Sequence, residues 1–253
     1  MLSFARYLLA GLIAIVSASA IAQTEFEKIE VGTVLTKAGI KLGVFVKPIP
    51  LPEGEWQVVS KQLEEIPLKR GNGAPMAPAK KIWLTLKNNQ ASSSPIFAIV
   101  MGFTPEAFDI NWGNSKCANS NADALVDDFG LSPDTTTFVC GTTWSLSGYK
   151  KRMGKMADSK NKWVRDNLAP LTAHLDDIAD QVLEVNLYGN QYRGRNVGFT
   201  FLVKREGDVK TDPSYEKYAR DWAHAAGLSL ISILKNDATS FALPTPFVTQ
   251  AAQ

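Results

Sequence analysis

Few residues in this chain can bind a metal, form a covalent link or act as a base near neutral pH. Cys117, Cys140, His174 and His224 are the only cysteines and histidines among 253 residues. A zinc site needs three or four clustered ligands. His174 lies in the segment AHLDDIAD. On a helix its i+3 neighbour is Asp177 and its i+4 neighbour is Ile178, so one histidine and one carboxylate share a face. That pair does not close a zinc site, and an exposed acidic helix face explains it more simply. His224 has no second ligand type spaced around it. Asn119, Asn121 and Asp123 match the first three positions of a calcium loop, but Ala124 stands where the sharp turn needs glycine and Gly130 where the bidentate glutamate belongs. Neither a metal nor a cofactor is expected.

Signs of nucleophilic and acid–base catalysis are equally sparse. Ser147-Gly148-Tyr149-Lys150 fits Ser-x-x-Lys, but so do the tetrads starting at Ser159, Ser214 and Ser232, and the companion motifs of penicillin-recognising enzymes are missing. Glu64-Glu65, Asp127-Asp128 and Asp176-Asp177 are pairs by adjacency alone. Glycoside hydrolysis needs two carboxyl groups facing each other across a cleft. Arg70-Gly71-Asn72-Gly73 lacks the Lys-Ser/Thr of a phosphate-cradling loop.

Charge placement is the stronger signal. Between Lys150 and Arg165 seven basic residues (Lys150, Lys151, Arg152, Lys155, Lys160, Lys162, Arg165) meet one acid, Asp158. Trp144, Tyr149 and Trp163 lie in or beside the run. Such a stretch suits an anionic surface such as a phospholipid headgroup or an acidic polymer. A solvated helix face is its plainer reading. Arg193 and Arg195 flank Gly194 at the tip of an expected hairpin and would extend the patch. The net charge of +2 is too small for a nucleic-acid binder.

The N-terminus, MLSFARYLLAGLIAIVSASAIAQ, has the layout of a secretory signal peptide: Arg6, then an apolar stretch from Tyr7 to Val16, then small-x-small sites ending at Ala20 and Ala22. Cleavage is expected after Ala22, with residues 1–22 as the signal peptide and the only membrane-directed segment. The mature protein is then exported, to the periplasm if the source is Gram-negative and outside the cell otherwise. Oxidising compartments allow disulfides to persist. A Cys117–Cys140 bond is therefore expected, closing a loop of about 24 residues that contributes roughly 3 kcal/mol.

The pattern of elements implies an α+β fold. Strands are expected in Val31–Val46 and Gly54–Glu65. Lys81–Lys87 alternates cleanly and Ile96–Phe103 is a near-continuous apolar run, giving one hairpin. Thr135–Trp144 reads as a strand, and Val182–Tyr188 with Asn196–Arg205 as a second hairpin. Helices are expected around Ala122–Phe129, over Lys150–Arg165 and over Asn167–Ala179. The clearest begins at Asp212 as N-cap with Pro213 in the first helical position, its stripe running through Tyr218, Trp222, Ala225, Ser229 and Ile233. The expectation is one domain over 23–253: a mostly antiparallel sheet of six or seven strands, helices packed on one face, a C-terminal amphipathic helix, and a loose tail from about 238.

These readings point to an exported, non-enzymatic binding protein. Its contact surface is Lys150, Lys151, Arg152, Lys155, Arg193 and Arg195, and its partner an anionic envelope component or another protein. The alternative is a hydrolase of cell-envelope material, which a cleft gathering carboxylates would favour.

Overall fold

The computed structural model describes residues 28–35, 39–42, 45–69, 73–90, 95–103, 125–160, 165, 170–174, 176–191, 195–205 and 212–243, with the backbone alone for 125–129 and 157. Its strands are β1 (Val34–Leu35), β2 (Trp56–Ile66), β3 (Ala79–Asn88), β4 (Phe97–Phe103), β5 (Leu125–Leu131), β6 (Thr137–Leu146), β7 (Val182–Gln191) and β8 (Arg195–Lys204). Its helices include α1 (Tyr149–Ala157) and α2 (Pro213–Leu234). All eight strands join one sheet in the order β1-β2-β3-β4-β8-β7-β6-β5. Every pairing is antiparallel. The sheet is thus two four-strand meanders abutting through their last strands.

The sheet-dominated α+β class follows from the alternation. In β8, Val197, Phe199, Phe201 and Val203 point to one side, where α2 lays down Trp222, Ala226, Leu230 and Leu234. Leu202 points to the other, into a second cluster with Trp83, Ile99, Tyr149 and Met153. Successive strand side chains alternate between faces, so the two clusters lie on opposite sides of the sheet. The helices therefore do not share one face: α2 packs on the first and α1 on the second. Both faces are covered, which is why β4 is apolar on either side.

On the first face, Phe201 meets Trp222 edge-on at 5.4 Å between ring centroids and Phe241 at 5.3 Å. Such aromatic pairs contribute about 0.5–1.5 kcal/mol beyond area burial. Past the end of α2 the chain returns to the helix at Phe241 and Ala242. Ser229 Oγ donates to the Ala242 carbonyl at 3.0 Å and accepts from its amide at 3.1 Å, and Phe241 is buried. At Gly189 the helix nearly touches the β7 backbone: a Cβ there would stand 2.8 Å from Leu234 Cδ1. The α2 N-terminus is capped by Asp212, whose carboxylate accepts from the amides of Ser214 and Tyr215. That satisfies backbone donors which would otherwise lack partners in the first turn.

Three further expectations change. The sheet has eight strands, not six or seven, because residues 125–131 form β5 against β6 rather than a helix. Val126 and Phe129 are good strand formers, and a ready partner edge outweighs a short helical pattern. Among the described residues, the 31–46 segment gives the two-residue β1 and then an isolated bridge between Ile40 and Ile49. The basic helix ends at Ala157, with Asp158 as its C-cap, instead of running to Arg165. Of Asn167–Ala179, residues 166–169 and 175 lie outside the described residues, although Leu171 and Ile178 are buried.

Candidate functional site

The second face of the sheet carries polar side chains in its centre. Strand register sets Cys140, Tyr188, Gly198, Met101 and Trp83 in one row across β6, β7, β8, β4 and β3. The next row holds Thr142, Asn186, Thr200 and Ile99, and the one after it Trp144, Glu184, Leu202 and Phe97. Over these rows lies α1. Gly148 turns the chain from β6 into α1 with φ of 67°, a left-handed conformation that glycine adopts without a Cβ clash. The Tyr149 amide then donates to the Asp180 carbonyl at 2.9 Å, anchoring the helix.

Between helix and sheet is a pocket of about 470 Å³. Trp83, Ile99, Met101 and Met156 give it apolar walls, and Gly198 leaves its floor open. At the α1 end the polar groups are linked. Thr200 Oγ1 donates to Asn186 Oδ1 at 2.6 Å. Asn186 Nδ2 donates to Glu184 Oε1 at 2.9 Å, and Tyr149 Oη donates to Glu184 Oε2 at 3.2 Å. Burial, with the Glu184 carboxylate second, pushes the Tyr149 phenol far above its usual value, so it stays a donor. Burial likewise raises the Tyr188 phenol, to which Asn196 Nδ2 donates. Hydrogen bonds to a charged acceptor contribute about 1.5–3 kcal/mol each, so the chain fixes the carboxylate in place.

The basic residues border the same pocket. Tyr149, Arg152 and Met156 recur on the inner side of α1 and line it. Lys151 and Lys155, one turn apart, stand on the outer flank. With Arg152, Met156, Ser147 and Ser159 they line an open depression of about 600 Å³. Lys151, Arg152 and Lys155 are exposed and Lys150 is half-buried. The structure brings these together but separates Arg195 from them. Its Nη1 donates to the last-turn carbonyl of Leu234 at 2.7 Å and to Gln191 Oε1 at 2.9 Å, on the α2 side of the sheet. A cation there answers the negative end of the helix. Arg193 lies outside the described residues.

Cys140 is buried and faces the pocket, while Cys117 lies outside the described residues. His174 Nδ1 is 3.6 Å from Asp177, the carboxylate expected on its face; Asp177 also holds Lys87 Nζ at 2.7 Å. Among the described residues no three His, Cys, Asp or Glu side chains cluster as metal ligands. Residues 119, 121 and 123 of the calcium-like loop lie outside them. Glu64 and Glu65 are exposed on β2 opposite Lys81 and Lys80. Ser147 Oγ accepts from Arg205 Nη2 at 2.8 Å.

Glu184 is the single carboxylate among the described residues lining the pocket. Retaining or inverting glycoside hydrolysis needs two. Nor does a histidine reach the hydroxyls of Thr142 or Thr200 as a base. The arrangement suits binding: apolar walls with a few fixed polar groups. Sequence reasoning read Val182–Tyr188 as one arm of a hairpin and placed neither Glu184 nor Asn186 in a site. The available signal was a polar stripe, Glu184 and Asn186 beside Thr200, on two strands long enough to be central. No helix among the described residues is long and apolar enough to cross a membrane. No family model, curated protein or solved structure matches the chain.

Proposed function

We propose that this chain is an exported, non-enzymatic binding protein that holds an amphiphile with an anionic head, of the kind a cell envelope supplies. The apolar part lies in the pocket over Gly198 and Met101, and the head meets Arg152, Lys151 and Lys155. One observation carries this reading: α1 is both the wall of the apolar pocket and the bearer of the exposed cations, with Arg152 and Met156 lining both hollows. The N-terminal export pattern and a Cys117–Cys140 bond belong to the same proposal, since an oxidising compartment would preserve that bond.

The test is displacement of an anionic naphthalene dye by ethyl octyl phosphate, followed by fluorescence. Saturable binding to one site is expected. Gly198→Leu fills the floor; the Cβ would press on the flexible end of Met101, at 3.0 Å from Cε, and stand at ordinary contact distance, 3.5 Å, from the Leu187 carbonyl oxygen. A leucine-sized loss of apolar burial is about 1.5–3 kcal/mol, so affinity should fall at least about tenfold. Unchanged affinity in a folded Gly198→Leu protein would remove the pocket from the proposal.

A further inference from the structure

We infer that the Glu184 end of the pocket is a subsite for a protonated amine, so that the preferred ligand is a zwitterionic amphiphile bearing an ammonium group and a phosphate. This rests on the binding reading above and names the head it selects.

Both donors to Glu184, the Tyr149 hydroxyl and the Asn186 amide, are neutral. Among the described residues the carboxylate makes no ion pair. Lys87, which occupies the same row of the sheet, is separated from it by β4 and β8, roughly 14 Å at ordinary strand spacing. Its ammonium is taken by Asp177 at 2.7 Å. Arg152 lies at the pocket mouth and is exposed. Glu184 is half-buried beside apolar walls, where a cation supplied from outside meets less screening by water. The hydrogen-bond chain makes the group selective as well as charged. Thr200 orients the Asn186 amide, which presents its nitrogen to Glu184, while Tyr149 holds the second oxygen. The carboxylate therefore does not need to reorganise to accept an N–H donor, and charge-assisted N–H···O bonds are the strong ones.

The layout fixes the rest of the ligand. Arg152, one turn along α1 from Tyr149, lines the pocket, and with Lys151 and Lys155 it lines the adjoining depression, where the three offer positive charge to a phosphate. The row that holds Gly198, Met101 and Trp83 lies two same-face positions along the strands from the Glu184 row and receives the tail. Trp83 is an apolar wall here and not a second cation site, because Lys81 Nζ already stands 4.4 Å from its ring centroid.

The experiment compares 2-aminoethyl octyl phosphate with ethyl octyl phosphate, which has the same tail and phosphodiester but no amine, by calorimetry on the intact protein. The aminoethyl compound should bind about tenfold tighter, as expected for one charge-assisted hydrogen bond. Glu184→Gln should erase that gap. Equal affinities in the unmutated protein overturn the inference whether or not Glu184→Gln folds, and leave the binding reading standing. A gap that survives Glu184→Gln overturns it too. Binding of neither compound overturns both.

Discussion

The charge reading is tested most directly by replacing Lys151, Arg152 and Lys155 together with glutamine. All three are exposed on α1, while Met153 on the opposite side of the helix is fully buried. Glutamine has nearly the helix propensity of lysine and arginine, so α1 should persist and the melting temperature should hardly move. Each basic side chain near an anionic surface contributes about 1 kcal/mol. Loss of three is then about 3 kcal/mol, or roughly a hundredfold in affinity at about 1.4 kcal/mol per factor of ten. The assay is co-sedimentation with vesicles containing phosphatidylglycerol in a phosphatidylcholine background. The difference should shrink as salt rises, because the screening length falls from about 10 Å at 0.1 M to about 3 Å at 1 M. A triple variant within threefold of the unmutated protein at 0.1 M salt refutes the reasoning. So does a loss of full size that persists at 1 M, because the missing interaction would not then be electrostatic.

Two other predictions concern the scaffold. Gly189→Ala should destabilise the protein by about 1–3 kcal/mol through overpacking; the new Cβ would stand 2.8 Å from Leu234 Cδ1 and 3.1 Å from Leu230. Urea unfolding measures this, and Leu234→Ala in the same chain should recover part of the loss, whereas a simple sum of the two costs would contradict the packing argument. Asp134, at the β5–β6 turn, holds Lys235 at 2.9 Å and accepts from Thr136 and Thr137. The lysine first and those hydrogen bonds next keep its carboxyl well below the usual carboxylate range. A depressed folded-state value means that the stabilisation is complete above about pH 4, the unfolded value, and drains away as pH falls below it. Asp134→Asn should therefore melt lower than the unmutated protein at pH 7 and converge with it toward pH 2; a constant gap across that range would contradict the linkage.

The sequence by itself determined what local patterns can determine. Alternation in Lys81–Lys87, Val182–Tyr188 and Asn196–Arg205 placed β3, β7 and β8 and the antiparallel hairpins that contain them. Asp212 and Pro213 marked the start of α2, and the run of cations placed α1. These signals lie within a dozen residues, where backbone preference and side-chain period act directly.

Only the tertiary structure decided which strands became neighbours, and with them the site. Pairing β4 with β8 joins two meanders across the intervening β5–β7 and sets Met101 beside Gly198. Packing α1 and α2 on opposite faces turned the polar side of β7 into the floor of a pocket. It also drew Arg195 to the end of α2, away from the cations of α1. Glu184, Asn186, Thr200 and Tyr149 are up to about fifty residues apart in sequence but joined by hydrogen bonds in space. Strand order depends on long-range pairing and on which apolar faces can be covered together, and no local period in the chain encodes either.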